Sequence, residues 1–327
     1  MVSFDPVALS TLAASLAVLV GSARLAVDRL MRLAQRFDVP DVLVAVSVVA
    51  LGTSLPEIGA HVSASLGILG GQFDYEVASA TALGANMGSS VTQQLLLFGI
   101  LLLAYGRFSL GARLQRDYYV PMVLAAGLLL VLSLDGTVGR LDGGLLLVVY
   151  AGYTYYVYSR RERLTQIPAT ASRNLPLDTV VAVLAMATVF GAAFVAVGAI
   201  ETVVADLALG GSMAGVVTLG LASALPELST VVVAIRRRLP NLAVGTLVGS
   251  NVVNPLVAVG AGAAISTYRV PEAVLFWDLP FKLLAGVAVL VWLRVRPEAT
   301  LGRREGAYLV ALYFVYVGGR LLVFPGQ

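Results

Sequence analysis

The chain has 327 residues, of which 58% are hydrophobic and 13% are charged, and its formal net charge is +3. A soluble domain carries about 25% charged residues, so this composition excludes a soluble protein and indicates a polytopic membrane protein. The chain contains no cysteine, which excludes a disulfide framework and any cysteine-based metal or redox site.

Ten segments of the chain are long and apolar enough to span a bilayer, which takes about 20 residues. They lie near residues 6–28, 40–68, 76–104, 118–134, 139–158, 177–200, 211–235, 241–267, 271–293 and 302–324. The basic residues fall in short clusters between these apolar segments. The positive charge is therefore a topology signal and not a nucleic-acid surface.

The arginines predict the orientation of the segments in the membrane. Five clusters follow the odd-numbered segments: Arg29, Arg32 and Arg36; Arg107, Arg113 and Arg116; Arg160, Arg161, Arg163 and Arg173; Arg236, Arg237 and Arg238; and Arg294, Arg296, Arg303 and Arg304. The connections on the opposite side are poor in basic residues. Cytoplasmic loops carry the excess of arginine and lysine, so we expect both termini to be extracellular.

A polar stretch near the middle divides the ten segments into five plus five. We predict a first repeat over 1–158, a cytoplasmic linker over 159–176 and a second repeat over 177–327. Because five is odd, the second repeat must enter the membrane from the opposite side, which gives an inverted-topology repeat. The predicted fold class is an all-α polytopic membrane protein with two five-helix inverted repeats.

Matching strings of sequence support the repeat. Residues 49–57, which end in Gly-Thr-Ser-Leu-Pro-Glu, match residues 219–227, which end in Ala-Ser-Ala-Leu-Pro-Glu. Further along, the Gly-Ala-Asn string of 83–89 matches the Gly-Ser-Asn string of 248–254. The two motif regions extend over 49–94 and 219–259, and each runs from a carboxylate helix through a loop to a Gly-x-Asn helix.

Each first string places a proline and a glutamate within an apolar segment. We expect Glu57 and Glu227 to lie in mid-helix, each in a continuous helix kinked by its proline. A buried carboxylate in hydrocarbon is costly unless it is paired, protonated or metal-bound, and inverted symmetry would bring the two glutamates together near the midplane. Lys282 and the arginines lie toward helix ends or in loops, so a cation is the expected partner. Pro56 and Pro226 would leave carbonyl oxygens free about a turn earlier, near Thr53 and Ser223, and such oxygens suit a hard cation.

Small polar residues surround these motifs and could complete an oxygen-rich site. They are Thr53, Ser54, Asn86, Ser89, Ser223, Ser250, Asn251 and Asn254. Ser250 and Asn254 are the better ligand candidates, whereas Asn86 and Asn251 could serve only to brace the helices. Gln93 and Gln94 break the repeat, and we expect interhelical hydrogen bonds from them, with site lining as the alternative.

These motifs resemble the two alpha repeats of the sodium/calcium exchanger family, of prokaryotic type, within the cation/calcium antiporter superfamily. The string at 52–57 and the Gly-Ser-Asn-x-x-Asn string at 249–254 carry the resemblance. It implies alternating access at a central site, with a divalent ion between two glutamates and sodium positions around it.

The resemblance also implies roles for individual residues. Glu57 and Glu227 match the calcium-binding glutamates, and Thr53 and Ser223 match central backbone-oxygen ligands. The remaining matches are Ala50 and Gly220 as earlier backbone ligands, Ser54 and Ser250 as sodium-site hydroxyls, and Asn254 and Ser89 at positions that usually carry Asn or Asp.

Several residues depart from the family pattern. Ala224 and Ala85 stand where serines are usual, and Ser89 is shorter than the usual amide or acid. His61 lies four residues after Glu57, on the same helix face. It is either a helix-end histidine bonded to a neighbour or a group that takes part in proton coupling or site tuning.

The sequence therefore predicts a secondary antiporter in the cell membrane that exchanges Ca²⁺ for Na⁺. The alternative is a divalent cation/H⁺ antiporter in which Glu57 and Glu227 titrate, with His61 as a further candidate. A channel is disfavoured by the internal inverted repeat. No His-Glu-x-x-His string supports a metalloprotease, so no enzyme is expected. The expected partners are the bilayer and inorganic cations, without cofactor, nucleic acid or obligate protein partner.

Overall fold

The computed structural model describes residues 6–36, 50–159, 174–207, 210–238, 240–295 and 299–324. Within these ranges a helical segment lies at each of the ten predicted positions. The segments are α1 (Pro6–Arg36), α2 (Ala50–Thr53 and Leu55–Leu69), α3 (Tyr75–Tyr105), α4 (residues 112–132), α5 (Arg140–Ser159), α6 (Leu175–Leu207), α7 (residues 211–223 and Leu225–Arg237), α8 (residues 240–265), α9 (Val274–Val295) and α10 (Arg303–Val323). Residues 40–49 of the second predicted segment and residues 160–173 of the predicted linker lie outside the described ranges.

Seven of the described helices are long and apolar enough to cross a membrane by length and composition. These are Pro6–Leu33, Tyr75–Tyr105, Leu175–Val204, Gly211–Arg236, Ala243–Ile265, Val274–Val295 and Arg303–Val323. Their apolar surfaces are only partly buried within the chain. For Arg303–Val323, for example, 28% of the apolar window is buried. A helix that exposes so much apolar surface is typical of a membrane span.

The helices α2 and α7 are broken immediately before their prolines. Ser54 has φ −87° and ψ 8°, and Ala224 has φ −78° and ψ −5°, and a new helix begins after each. Proline is well suited to the first turn of a helix, where its missing N–H costs nothing. The expectation that Glu57 and Glu227 lie in mid-helix was therefore wrong, because each lies in the first turn after a break.

Wide π-type turns interrupt α3 and α8 just after their Gly-x-Asn strings. They span Thr92–Leu97 and Asn254–Val259. Such turns insert extra residues into a helix and are frequent at functional sites. Here they set the directions of the side chains at residues 92–97 and 254–259.

Glycines allow α3 and α7 to touch backbone to backbone. A Cβ atom at Gly84 would collide with the carbonyl of Ser212, and one at Gly215 would collide with the carbonyl of Thr81. Small residues at such crossings permit the closest helix packing available in a membrane. This contact joins the two halves of the chain next to the Gly-x-Asn string of α3.

Four short strands, which the all-α prediction missed, join the helix connections. The strands β1 (Arg107–Ser109) and β4 (Thr300–Gly302) pair antiparallel, as do β2 (Thr137–Val138) and β3 (Tyr268–Arg269). The strand β1 follows α3 and pairs with the strand before α10, whereas β3 follows α8 and pairs with the strand before α5. Strands of two or three residues are too short for an alternation signal to reveal them in sequence.

Candidate cation site

The carboxyl groups of Glu57 and Glu227 are both fully enclosed, with side chains 1% and 0% exposed. Glu57 Oε1 accepts a hydrogen bond from the Ser89 hydroxyl at 2.5 Å, and Glu227 Oε1 accepts one from the Ser250 hydroxyl at 2.9 Å. In each group the second oxygen, Oε2, is buried and has no hydrogen-bond partner among the described residues. Each half of the chain thus supplies one carboxylate with one oxygen held and one oxygen unpartnered.

Contacts between the two halves bring these groups into one site. The Thr53 hydroxyl lies 3.0 Å from the Ser250 hydroxyl, which donates its proton to Glu227. On the other side of the site, Ser89, which donates to Glu57, accepts a hydrogen bond from Gln93, and Gln93 is bound by Asn251 of the second half. Each carboxylate is therefore linked to the opposite half of the chain through side chains that are hydrogen-bonded to it.

Further oxygen atoms around the carboxylates are buried without partners. Ser54 Oγ and Asn254 Oδ1 have no hydrogen bond within the described part of the chain, while Asn254 Nδ2 donates to Ser90 Oγ at 3.3 Å. Buried polar atoms are normally satisfied. Four such oxygens, counting Oε2 of Glu57 and Oε2 of Glu227, form a donor set that suits a hard cation.

Of the four backbone oxygens expected as ligands, those of Ala50 and Gly220 already accept hydrogen bonds from within the chain. Ala50 O accepts from Ser54 N at 3.1 Å and from the Thr53 hydroxyl at 3.4 Å, and Gly220 O accepts from the Ser223 hydroxyl at 3.2 Å. The helix breaks place the carbonyls of Thr53 and Ser223 at the ends of the short preceding helices. The last carbonyls of a helix have no partner in the helix itself.

The two asparagines of the Gly-x-Asn strings hold helices together through their amide nitrogens. Asn86 Nδ2 donates to the carbonyl of Asn254 at 3.0 Å. Asn251 Nδ2 donates to the Leu247 carbonyl at 2.9 Å and to Gln93 Oε1 at 3.0 Å. Their Oδ1 atoms are buried and have no partner among the described residues. The Asn86–Asn254 and Asn251–Gln93 bonds link α3 to α8 and support the bracing interpretation, whereas the Asn251–Leu247 bond lies within α8.

His61 is buried in the interior of a helix, and the description of it as a helix-end residue was wrong. It is the seventh of the fifteen residues of Leu55–Leu69 and is 0% exposed. Its Nδ1 lies 3.3 Å from the Tyr268 hydroxyl, which donates to the His61 carbonyl at 2.7 Å and also contacts Ser65 Oγ at 2.7 Å. Sequence reasoning missed Tyr268, because it follows α8 and is 207 positions away in the chain.

Two basic side chains are buried. Lys282 lies within a helix, contrary to the expectation that it lies toward a helix end, whereas Arg320 lies in the last turn of its helix as expected. Lys282 is the ninth residue of α9 and is 2% exposed, and Arg320 is 0% exposed. Arg320 forms an ion pair with Asp278 at 3.3 Å and hydrogen bonds with Ser212 and the Phe324 carbonyl. None of the contacts recorded for either basic side chain reaches Glu57 or Glu227, so a cation remains the expected partner of the two carboxylates.

Curated relatives cover nearly the whole chain. It is 26% identical over 333 residues to the putative antiporter CaxA of Alkalimonas amylolytica, with 96% of this chain and 99% of the relative covered. It is 25% identical over 300 residues to the inner membrane protein YrbG of Escherichia coli K12, with 87% and 88% covered. Together with the seven apolar helices, these relatives indicate a multi-pass protein of the cell membrane.

Solved structures share the fold. The H⁺/Ca²⁺ exchanger CAX aligns with a TM-score of 0.78 at 16% identity, covering 98% of this chain and 82% of that chain. The sodium-calcium exchanger NCX_Mj aligns with a TM-score of 0.63 at 19% identity, covering 97% and 99%. The profile of the family described as sodium/calcium exchanger protein matches residues 7–159 and 177–322. The resemblance found in the motifs is thereby confirmed, and the chain belongs to the sodium/calcium exchanger protein family.

Proposed function

We propose that the chain exchanges Ca²⁺ for Na⁺ by alternating access at a site between Glu57 and Glu227. Family membership supports cation antiport, the activity of a transporter. The observation that carries the finer proposal is the pair of buried carboxylates, one from each half, each with one unpartnered oxygen.

The charge of the site favours a divalent ion. Two nearby carboxylates cannot both stay ionised in a buried environment without a compensating positive charge, and one divalent cation supplies that charge. Ca²⁺ takes about 6–8 oxygen ligands from carboxylates, carbonyls and hydroxyls. We assign this coordination to Glu57, Glu227, Asn254 and the carbonyls of Thr53 and Ser223, with Ser54, Ser250, Ser89, Ala50 and Gly220 in the adjoining monovalent positions.

We propose ten membrane spans arranged as two inverted repeats, with both termini outside the cell. The repeats cover residues 1–158 and 177–327, joined by a cytoplasmic linker at 159–176. The strand pairs support this arrangement. β1 and β3 lie at equivalent positions in the two repeats, and so do β4 and β2, so that the β1–β4 pair of one repeat order corresponds to the β3–β2 pair of the other. The helix breaks at Ser54 and Ala224 are related in the same way. The bilayer and inorganic cations are the partners that the mechanism needs.

A divalent cation/H⁺ antiporter is the second candidate, favoured by the reduced set of hydroxyls. Ala85 and Ala224 supply no side-chain oxygen at positions where the family pattern has serines. Fewer oxygens then remain for sodium. In this version Glu57 and Glu227 carry the exchanged protons, and His61 tunes the site.

Uptake of ⁴⁵Ca²⁺ into proteoliposomes, driven in turn by an outward Na⁺ gradient and by a pH gradient, tests this function. We expect uptake to follow the Na⁺ gradient and to be lost in Glu57→Gln and in Glu227→Gln. The control Glu76→Gln changes an exposed carboxylate whose ion-pair partner is Arg269, and it should transport normally. Uptake that follows only the pH gradient would replace the first candidate by the second, and normal uptake in both glutamine variants would refute the site.

A further inference from the structure

A continuous chain of hydrogen bonds leads from α8 through Gln93 to the carboxylate of Glu57. Asn251 Nδ2 contacts the Leu247 carbonyl at 2.9 Å and Gln93 Oε1 at 3.0 Å. Gln93 Nε2 lies 3.0 Å from Ser89 Oγ, which lies 2.5 Å from Glu57 Oε1. All four of these side chains are at most 1% exposed, so solvent does not compete for these hydrogen bonds.

Which atom donates and which accepts in each of these hydrogen bonds follows from the first bond, between Asn251 and Leu247. A backbone carbonyl can only accept, so the Asn251 atom beside Leu247 must be the amide nitrogen. The second proton of that nitrogen requires an acceptor, which must be Gln93 Oε1, and the other end of the Gln93 amide is then its donor nitrogen. The reversed amide would set two nitrogen donors against each other.

The donor end of Gln93 determines what Ser89 does. A serine hydroxyl has one proton and two lone pairs. Because Ser89 Oγ accepts from Gln93 Nε2, its proton is directed to Glu57 Oε1. Glu57 is thereby held through Oε1, while Oε2 is left without a partner in the described part of the chain.

We infer that Gln93 is a positioning residue of the cation site, which orients the Ser89 hydroxyl and so leaves Oε2 of Glu57 as the oxygen that meets the ion. This inference depends on the proposed cation site. It gives a role to a residue whose counterpart in the second repeat, Ala258, has no polar side chain.

The comparison of the repeats explains why such a residue is needed in one half only. Ser89 corresponds to Asn254, which carries its own amide. Ser89 has no amide. Gln93, one turn further along α3 and inside the wide turn Thr92–Leu97, supplies one from the next turn of the helix. Gln93 also joins the halves, because its acceptor oxygen is bound by Asn251 of α8.

Equilibrium binding of ⁴⁵Ca²⁺ to the purified full-length protein in detergent micelles tests the inference. Gln93→Met keeps the side-chain length but removes both hydrogen bonds. Groups that orient metal ligands typically change affinity by about 10–100-fold, so we expect at least about tenfold weaker binding. The matched control is Gln94→Met, which removes the neighbouring amide and its 3.0 Å bond to the Lys282 carbonyl. This variant should bind within about twofold of the unmodified protein, because Gln94 lies outside the series of hydrogen bonds from Asn251 to Glu57.

A double-variant cycle separates positioning from a general structural effect. Ser89→Ala removes the hydroxyl that joins Gln93 to the Glu57 carboxylate. Adding Gln93→Met to this variant should therefore weaken binding by no more than about twofold further. If the two losses multiply, Gln93 does not act through Ser89 and the inference is wrong. It is also wrong if Gln93→Met binds as tightly as the Gln94→Met control.

A folding control and the binding of the unmodified protein keep these outcomes distinct. Thermal unfolding without Ca²⁺ reports whether each variant is folded, and Gln93→Ala replaces any Gln93→Met protein that is not. Absence of binding by the unmodified protein would instead overturn the proposed cation site, and the role of Gln93 with it. Normal binding by the unmodified protein and by Gln93→Met would overturn the role of Gln93 alone.

Discussion

The buried ion pair between Asp278 and Arg320 yields a prediction about stability. Both side chains are 0% exposed, and Arg320 Nε lies 3.3 Å from Asp278 Oδ1. Asp278→Asn removes the negative charge and leaves a guanidinium enclosed in the protein. Loss of one partner from a buried pair typically costs about 3–5 kcal/mol. Because Arg320 keeps its hydrogen bonds to Ser212 and the Phe324 carbonyl, we expect the lower end of that range, about 3 kcal/mol.

The assay is the apparent melting temperature of the purified protein in detergent, followed by tryptophan fluorescence. At about 2 °C per kcal/mol, a value for large domains, the expected loss lowers the melting temperature by about 6 °C. The double variant Asp278→Leu with Arg320→Met removes both charges and should recover most of this loss, since an apolar pair often replaces a buried ion pair without cost. A shift below about 1 °C in Asp278→Asn, or a double variant less stable than either single variant, would refute the reasoning.

Three further predictions concern the helix contacts around the site. Gly84→Ala should lower the yield of folded protein and the melting temperature, because its Cβ meets the Ser212 carbonyl; unchanged melting would contradict the close packing. Tyr268→Phe should destabilise by about 1–2 kcal/mol through the lost bond to the His61 carbonyl, measured as a melting shift, and an unchanged melting temperature would count against that bond. Ser250→Ala should reduce the Na⁺ dependence of ⁴⁵Ca²⁺ uptake more than Ca²⁺ binding, and an equal loss of both would contradict its assignment to a monovalent position.

The sequence predicted well those features that local patterns specify. The positions of the helical segments follow from apolar runs of about 20 residues. The sequence placed Glu57 and Glu227 within apolar runs, where carboxylates are rare, and both side chains are buried. The family assignment followed from short strings at 52–57 and 249–254, and the match to residues 7–159 and 177–322 confirmed it.

Features that depend on contacts between distant residues were missed. Gln93 bonds with Asn251, 158 positions away, and Arg320 contacts Ser212, 108 positions away. No local pattern reveals such a partner. Arg320 occupies the last turn of its helix, where an arginine would ordinarily extend to the membrane interface. It is buried here because Asp278 and Ser212 lie inside the protein beside it.

The prolines show how a correct motif can still give an incorrect local structure. Pro56 and Pro226 were expected to free carbonyls within continuous helices, but each proline instead begins a new helix. Proline disrupts a helix interior and is tolerated in the first turn. The sequence rule allowed both outcomes, and the choice between them depends on packing around Ser54 and Ala224. The outcome places both glutamates at helix N-termini, where negative charge is favoured.

The most direct test of the account is the stoichiometry of equilibrium Ca²⁺ binding to the purified chain. A single site built from both halves predicts one Ca²⁺ per chain and complete loss of high-affinity binding in Glu57→Gln and also in Glu227→Gln. Glu76→Gln should bind one Ca²⁺ with unchanged affinity. If the unmodified chain bound two ions and each glutamine variant retained one, the two carboxylates would form separate sites, which would contradict a shared site.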